Sequence, residues 1–71
     1  MRRVGPGHYE ALVGTWVCNV SNTGPVPGRA RGYWYWLVSR DGEQTTDGGA
    51  DWYASKAEAL EALQAWLAEK L

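Results

Sequence analysis

The C-terminal segment has a strong helix-forming sequence, and it constrains the fold more than any other feature. Ser55 is a favourable N-cap residue, and Glu58 follows three positions later, as in a capping box. Nearly every later residue favours helix, which predicts one helix over about 55–70. Its apolar side chains share one face, made of Ala59, Leu60, Leu63, Trp66, Leu67 and Leu71. A helix this short is marginal alone in water, so this face must pack on other structure.

The residues before the helix predict a sheet as its packing partner. Between residues 10 and 21 apolar and polar residues alternate, which indicates a first strand. Read as one strand, it has one face made of Leu12, Trp16, Cys18 and Val20. Residues 33–40 are the strongest strand sequence, because they are aromatic and β-branched. We therefore predict the α+β class, with a small antiparallel β-sheet of three to four strands packed on one C-terminal α-helix.

Two turn segments divide this part of the chain. Residues 22–32 contain two prolines and three glycines, so they form a long loop, and this loop also carries Arg29 and Arg31. Asp41-Gly42 predicts a two-residue hairpin turn with Arg40 opposite Glu43. The same register pairs Val38 with Thr45 and Trp36 with Asp47.

The length of 71 residues leaves room for a single domain. Residues 1–8 are rich in Gly, Pro and Arg, so we expect a flexible N-terminal segment before a domain over 9–71. Cys18 is the only cysteine and His8 the only histidine, which predicts no disulfide within the chain, no metal site and no cofactor. The lone cysteine and the lack of an apolar run after the N-terminal arginines favour a cytoplasmic protein without a signal peptide or membrane anchor.

Candidate catalytic groups are scarce in this sequence. Cys18 lies on the apolar side of the predicted first strand, and His8 lies in the N-terminal segment. The glycine pairs at 5–7 and 48–49 lack the lysine and the following helix of a phosphate-binding loop. Since catalysis needs converging polar groups with tuned protonation, we predict that the protein is not an enzyme.

The aromatic strand supplies the candidate binding surface. Side chains alternate along a strand, so Trp34, Trp36 and Val38 face one way while Tyr33, Tyr35 and Leu37 face the other. One helix covers one face of a sheet, and we assign the tryptophan set to the core. The exposed patch is then predicted to contain Tyr33, Tyr35, Leu37, Val13 and Val17, unless the long loop covers it.

The charges of the chain are divided between its two halves. Residues 1–40 carry five arginines against one glutamate, and residues 41–71 carry two lysines against seven carboxylates. Arg29, Arg31 and Arg40 are therefore candidates for the rim of a binding surface or for contacts to phosphate. An ordinary mixed, solvated surface is the alternative explanation.

Residues 32–67 resemble a small module that combines an aromatic strand, a D-G-type hairpin, the short strand Trp52-Tyr53-Ala54-Ser55 and an x-x-E-A helix start. This arrangement resembles the arm-type DNA-binding domains of phage integrases and plant ethylene-response DNA-binding domains, and its strand-to-helix junction is similar to that of HicB-type antitoxins. The resemblance implies a three-stranded sheet backed by one helix, with the opposite sheet face reading the major groove. The chain departs from those domains because residues 43–47 carry carboxylates where their strands carry Lys and Arg.

The function that we predict is that of a non-catalytic accessory or regulatory module, of the kind found in phages and mobile elements. It binds a protein partner, with a second copy of the chain as one candidate, through the aromatic open sheet face. The first alternative is nucleic-acid binding by the same face, with Tyr33 and Tyr35 stacking on bases. The second alternative is an acidic inhibitor that mimics nucleic acid through its carboxylates.

Overall fold

The computed structural model describes residues 1–44 and 51–70, which form an antiparallel sheet with a helix packed on one face. In these ranges the sheet has five strands in chain order, namely β1 (Arg2–Gly5), β2 (His8–Val13), β3 (Trp16–Asn22), β4 (Trp34–Arg40) and β5 (Glu43–Gln44). Helix α1 spans Lys56–Lys70. The predicted α+β class and C-terminal helix are confirmed, and the described sheet has five strands in place of three to four.

The N-terminal half of the sheet accounts for the additional strands. Arg2–Gly5, which we expected in a flexible segment, forms β1 and pairs with β2. The predicted first strand over residues 10–21 divides into β2 and β3 at Gly14-Thr15. Gly14 has a positive φ of 61° and Thr15 does not, which is the pattern of a type II′ hairpin turn.

Because of this turn, Leu12 and Val13 lie on the faces opposite to those predicted for them. Val13 pairs with Trp16 across the turn, so both side chains lie on the helix side of the sheet, where Val13 packs against the core. Leu12 pairs with Val17 on the other face and is 72% exposed. The predicted face that grouped Leu12 with Trp16 and the predicted open-side position of Val13 were both wrong, because the two-residue turn restarts the alternation.

The second hairpin agrees with the sequence pattern. Asp41 and Gly42 both have positive φ, at 54° and 80°, and Arg40 pairs with Glu43. Two positive φ values in a two-residue loop are those of a type I′ turn, which suits the twist of the flanking strands. The predicted partners of Val38 and Trp36, residues 45 and 47, lie outside the described residues.

The core lies between α1 and strands β3 and β4. The buried helix residues are Ala59, Leu63, Trp66 and Leu67, as the predicted apolar face requires, while Leu71 lies outside the described residues. The sheet contributes Cys18, Val20, Trp36 and Val38. The assignment of the tryptophan face of β4 to the core is therefore confirmed.

The helix begins as its capping sequence predicts. The Ser55 hydroxyl accepts a hydrogen bond from the Glu58 amide at 3.2 Å, and the Glu58 carboxylate accepts one from the Ala54 amide at 3.1 Å. The first contact satisfies an amide that the first helical turn would leave unpaired, and the second ties the Glu58 side chain back to the residue before the N-cap. In the described part of the chain, no helix has the length and apolar character to cross a membrane.

Two adjacent residues of β4 test the assignment of the sheet faces. Val38→Ala should lower the free energy of unfolding by about 2 kcal/mol, because Val38 is fully buried. Leu37→Ala removes a larger group but should cost less than about 1 kcal/mol, because Leu37 lies on the face away from α1. Urea unfolding at low protein concentration measures both values. A larger loss for Leu37→Ala would reverse the assignment.

Candidate functional site

The face of the sheet that points away from α1 is the candidate site, and we call it the open face. The strand pairing places on it side chains from β2, β3 and β4, namely His8, Glu10, Leu12, Val17, Asn19, Ser21, Tyr35, Leu37 and Ser39. Among the described helices and strands, the packing contacts of the sheet outside its own strands are those of α1 with β3 and β4. The open face therefore has no helix or strand of the described chain packed across it.

An apolar strip crosses the open face. Leu12 lies opposite Val17 in the β2–β3 pairing, and Leu37 lies opposite Asn19 in the β3–β4 pairing. Val17 and Leu37 are therefore diagonal neighbours, a spacing at which side chains on adjacent strands interact. Both are half-buried, while Leu12 at one end of the strip is mostly exposed. The three strands thus present one continuous apolar surface.

An aromatic cluster forms the other end of this surface, and we call Tyr33, Tyr35 and Trp52 the aromatic corner. Trp34 and Tyr53 exchange two backbone hydrogen bonds, at 2.8 and 2.7 Å. This antiparallel pairing places Trp52 beside Tyr35 on the open face. The Trp52 ring lies 5.4 Å from the Tyr33 ring, centroid to centroid, and Trp52 is 60% exposed.

Trp52 and Leu12 are open-face residues that the sequence analysis missed. The alternation of residues 52–54 could have identified Trp52, since an inward Tyr53 requires an outward Trp52. Leu12 could have been identified if Gly14-Thr15 had been interpreted as a hairpin turn.

Arg29 joins the long loop to the segment before α1. Its guanidinium donates hydrogen bonds to the Gly32 carbonyl and, at 2.8 Å, to the Ala54 carbonyl. The same group lies 4.6 Å from the centroid of the Tyr33 ring, within the range of a cation–π interaction. Arg29 thus orders the loop and supports one ring of the aromatic corner.

The other two candidate arginines lie apart from the open-face strip. Arg40 is on the helix side of β4, with its guanidinium 4.3 Å from the Trp16 ring centroid, and it donates a 2.7 Å hydrogen bond to the Thr15 hydroxyl. Arg31 is exposed in the loop, where its carbonyl accepts a 3.1 Å hydrogen bond from the Asn22 amide group. The fold therefore does not gather the three predicted arginines beside the tyrosines.

The predicted patch residues divide between the two faces. Tyr35, Leu37 and Val17 lie on the open face, and Tyr33 belongs to the aromatic corner. Val13 lies on the helix side, because the Gly14-Thr15 turn pairs it with Trp16.

Cys18, the one cysteine of the chain, lies in the core on the helix side of the sheet. Cys18 is fully buried, and burial raises the pKa of its thiol above the ordinary value, so the unreactive protonated form is favoured. Residues 1–44 and 51–70 contain no group of three or more His, Cys, Asp or Glu side chains placed to hold a metal ion.

The comparisons with known proteins give no further guidance. No protein-family description, curated protein or solved structure matches the chain.

Gly32 fixes the loop at the edge of the aromatic corner. It has a positive φ of 65°, and a Cβ at this position would lie 2.1 Å from the Gly24 carbonyl oxygen. Gly28 also has a positive φ, 81°, but a Cβ there would meet no atom within 4 Å. We expect Gly28→Ala to lower the free energy of unfolding by about 1–2 kcal/mol, which is the cost of holding an alanine in the left-handed backbone region.

Gly32→Ala should cost more than Gly28→Ala, because the added methyl group also forces the loop away from Gly24. Urea unfolding of both variants measures the difference. Equal losses would show that the close approach of Gly32 to Gly24 does not constrain the folded loop.

Proposed function

We propose that the protein is a non-catalytic binding module of the accessory or regulatory kind, which docks a protein partner on the open face. The observation that carries the proposal is the continuous apolar surface from Leu12 to Trp52, which no described helix or strand covers. Contiguous apolar surfaces of this kind mark interaction sites more often than single exposed apolar residues do.

The composition of the open face supports protein recognition. Trp and Tyr are enriched among the residues that dominate binding energy, and the aromatic corner supplies one Trp and two Tyr side chains. Leu12, which is 72% exposed, would contribute up to about 1.5–3 kcal/mol if a partner covered it fully, and the half-buried Leu37 would contribute less. Glu10 at the β1–β2 edge and Ser39 beside β5 add polar groups around this apolar surface, as in the rim of a protein interface. Asn19 lies within the apolar surface, opposite Leu37.

The nucleic-acid alternative ranks second because of the positions of its cations. Phosphate contacts supply most of the affinity of such proteins, and they require Lys or Arg beside the base-stacking rings. Arg40 lies on the opposite side of the sheet from Tyr35, and Arg29 already donates to two carbonyl groups. Arg2, which the strand pairing places on the open face, lies opposite the carboxylate of Glu10 at the β1–β2 edge, away from the aromatic corner.

Selection of peptides from a random displayed library on the immobilised protein tests the proposal. We expect Leu37→Glu to weaken the selected peptides at least about tenfold, because the variant removes apolar contact and places a charge in the strip. Ala65→Glu is the matched control, since it adds the same charge on the exposed side of α1. Peptides weakened by Ala65→Glu and unaffected by Leu37→Glu would contradict the proposal.

Titration with short single- and double-stranded DNA and RNA, followed by tryptophan fluorescence, separates the two candidate functions. If the open face binds protein, we expect no saturable change in tryptophan fluorescence at low or moderate salt. A saturable change that weakens steeply as salt rises would favour the nucleic-acid alternative instead, since phosphate binding releases counterions.

A further inference from the structure

We infer that the partner of the open face is a second copy of this chain, packed sheet against sheet with the two helices outside. The inference rests on the proposed binding role of the open face and identifies its occupant. It follows from the charge, the size and the polar groups of that face.

The open face is close to neutral, although the chain as a whole is not evenly charged. The strand pairing places Arg2 directly opposite Glu10 at the β1–β2 edge, so these two opposite charges adjoin each other. The remaining ionisable groups that the pairing of β2, β3 and β4 assigns to the face are His8 and Tyr35. A neutral face can meet its own copy without repulsion between like charges, whereas a strongly charged partner would gain little from it.

The size of the sheet is in the range that a stable dimer needs. Strands lie about 4.8 Å apart and rise about 3.3 Å per residue, so each strand residue covers about 16 Å² of the sheet plane. The five described strands hold 26 residues, so their flat projection is about 410 Å², to which the relief of the side chains and the aromatic corner add accessible surface. A biological interface buries at least about 1,000 Å² in total, or about 500 Å² per partner, so the face is large enough only if nearly all of it is covered. The same face of a second copy has a matching size and twist, so it can cover nearly all of the open face.

The polar side chains within the face suit a symmetric contact. Asn19 and Ser39, both half-buried in one chain, each carry both a hydrogen-bond donor and an acceptor, so each can pair with a copy of itself or of its neighbours. A twofold dimer uses the same patch on both subunits, which requires this self-complementarity. Aligned sheets pack about 10 Å apart, a distance at which such side chains meet across the interface.

The size of the chain gives a thermodynamic reason for self-association. A domain of this length buries only about 60% of the surface that its unfolded chain exposes. The buried apolar core of the described residues consists of eight side chains, all on the helix side of the sheet. Small domains with one covered sheet face gain stability when a second copy covers the other face.

Sedimentation equilibrium over a range of protein concentrations tests this inference. We expect the wild-type chain to be dimeric and Leu37→Glu to raise the dimer dissociation constant at least about a hundredfold, because both copies lose a buried leucine. Leu12→Glu should also raise the dimer dissociation constant. Because Leu12 is 72% exposed in one copy, this substitution should leave the folding of the single chain unchanged. Ala65→Glu, on the exposed side of α1, should leave the dissociation constant unchanged.

A wild-type chain that stays monomeric at all concentrations would overturn the dimer. So would a dimer that both Leu37→Glu and Leu12→Glu leave intact, since it would use another surface. A monomer that still binds library-selected peptides through Leu37 would overturn the dimer and leave the proposed function standing. A monomer whose selected peptides bind the Leu37→Glu variant as tightly as the wild type would overturn both the dimer and the proposed function of the open face.

Discussion

The contact of Trp66 with the sheet is the interaction on which the rest of the structure depends. Its ring lies 5.4 Å from the Trp16 ring, almost perpendicular to it, and 5.7 Å from the Trp36 ring. These are favourable aromatic geometries, and they attach the helix to two adjacent strands. Because one helix covers one face, the same contact that buries Trp36 leaves Tyr35 and Leu37 on the other face. The packing of α1 on the sheet therefore determines both which residues form the core and which residues form the candidate binding surface.

The aromatic residues also determine where positive charge lies. Four cationic side chains of the described structure lie over aromatic rings: Arg29 over Tyr33, Arg40 over Trp16, Lys56 over Tyr9 and Lys70 over Trp66. Three of these rings belong to the helix side of the sheet, and the fourth lies at the aromatic corner. Such contacts stabilise a cation at the surface by about 0.5–1 kcal/mol. Because these cations lie away from the apolar strip, the open face remains nearly neutral.

Much of the fold could be predicted from local sequence. The Ser55–Glu58 capping pattern located the start of α1, and Asp41-Gly42 located a turn in which both residues have positive φ. These features depend on residues that are close in sequence, so their chemistry is visible without the fold. The burial of Trp36 could also be predicted, because the apolar residues of one helix need one apolar sheet face.

The parts that could not be predicted depend on a turn without a strong signal and on long-range contacts. Gly14-Thr15 is a less distinctive turn than Asp41-Gly42, and a shift of the alternation at that turn exchanged the faces of Leu12 and Val13. The positions of Arg29 and Arg40 depend on Ala54 and Thr15, each 25 residues away in the chain. Sequence spacing does not specify such contacts, so the arginines could be listed as candidates but not placed on a face.

Hydroxyl-radical footprinting with mass-spectrometric detection tests the central claim most directly, since it reports the solvent exposure of individual side chains. At low protein concentration we expect rapid modification of Trp52 and Leu12 and slow modification of Trp36 and Trp66. At high concentration the first group should become protected while the second is unchanged. Rapid modification of Trp36 or Trp66 at low concentration would show that the helix does not cover this face, and would contradict the account of both the core and the open face.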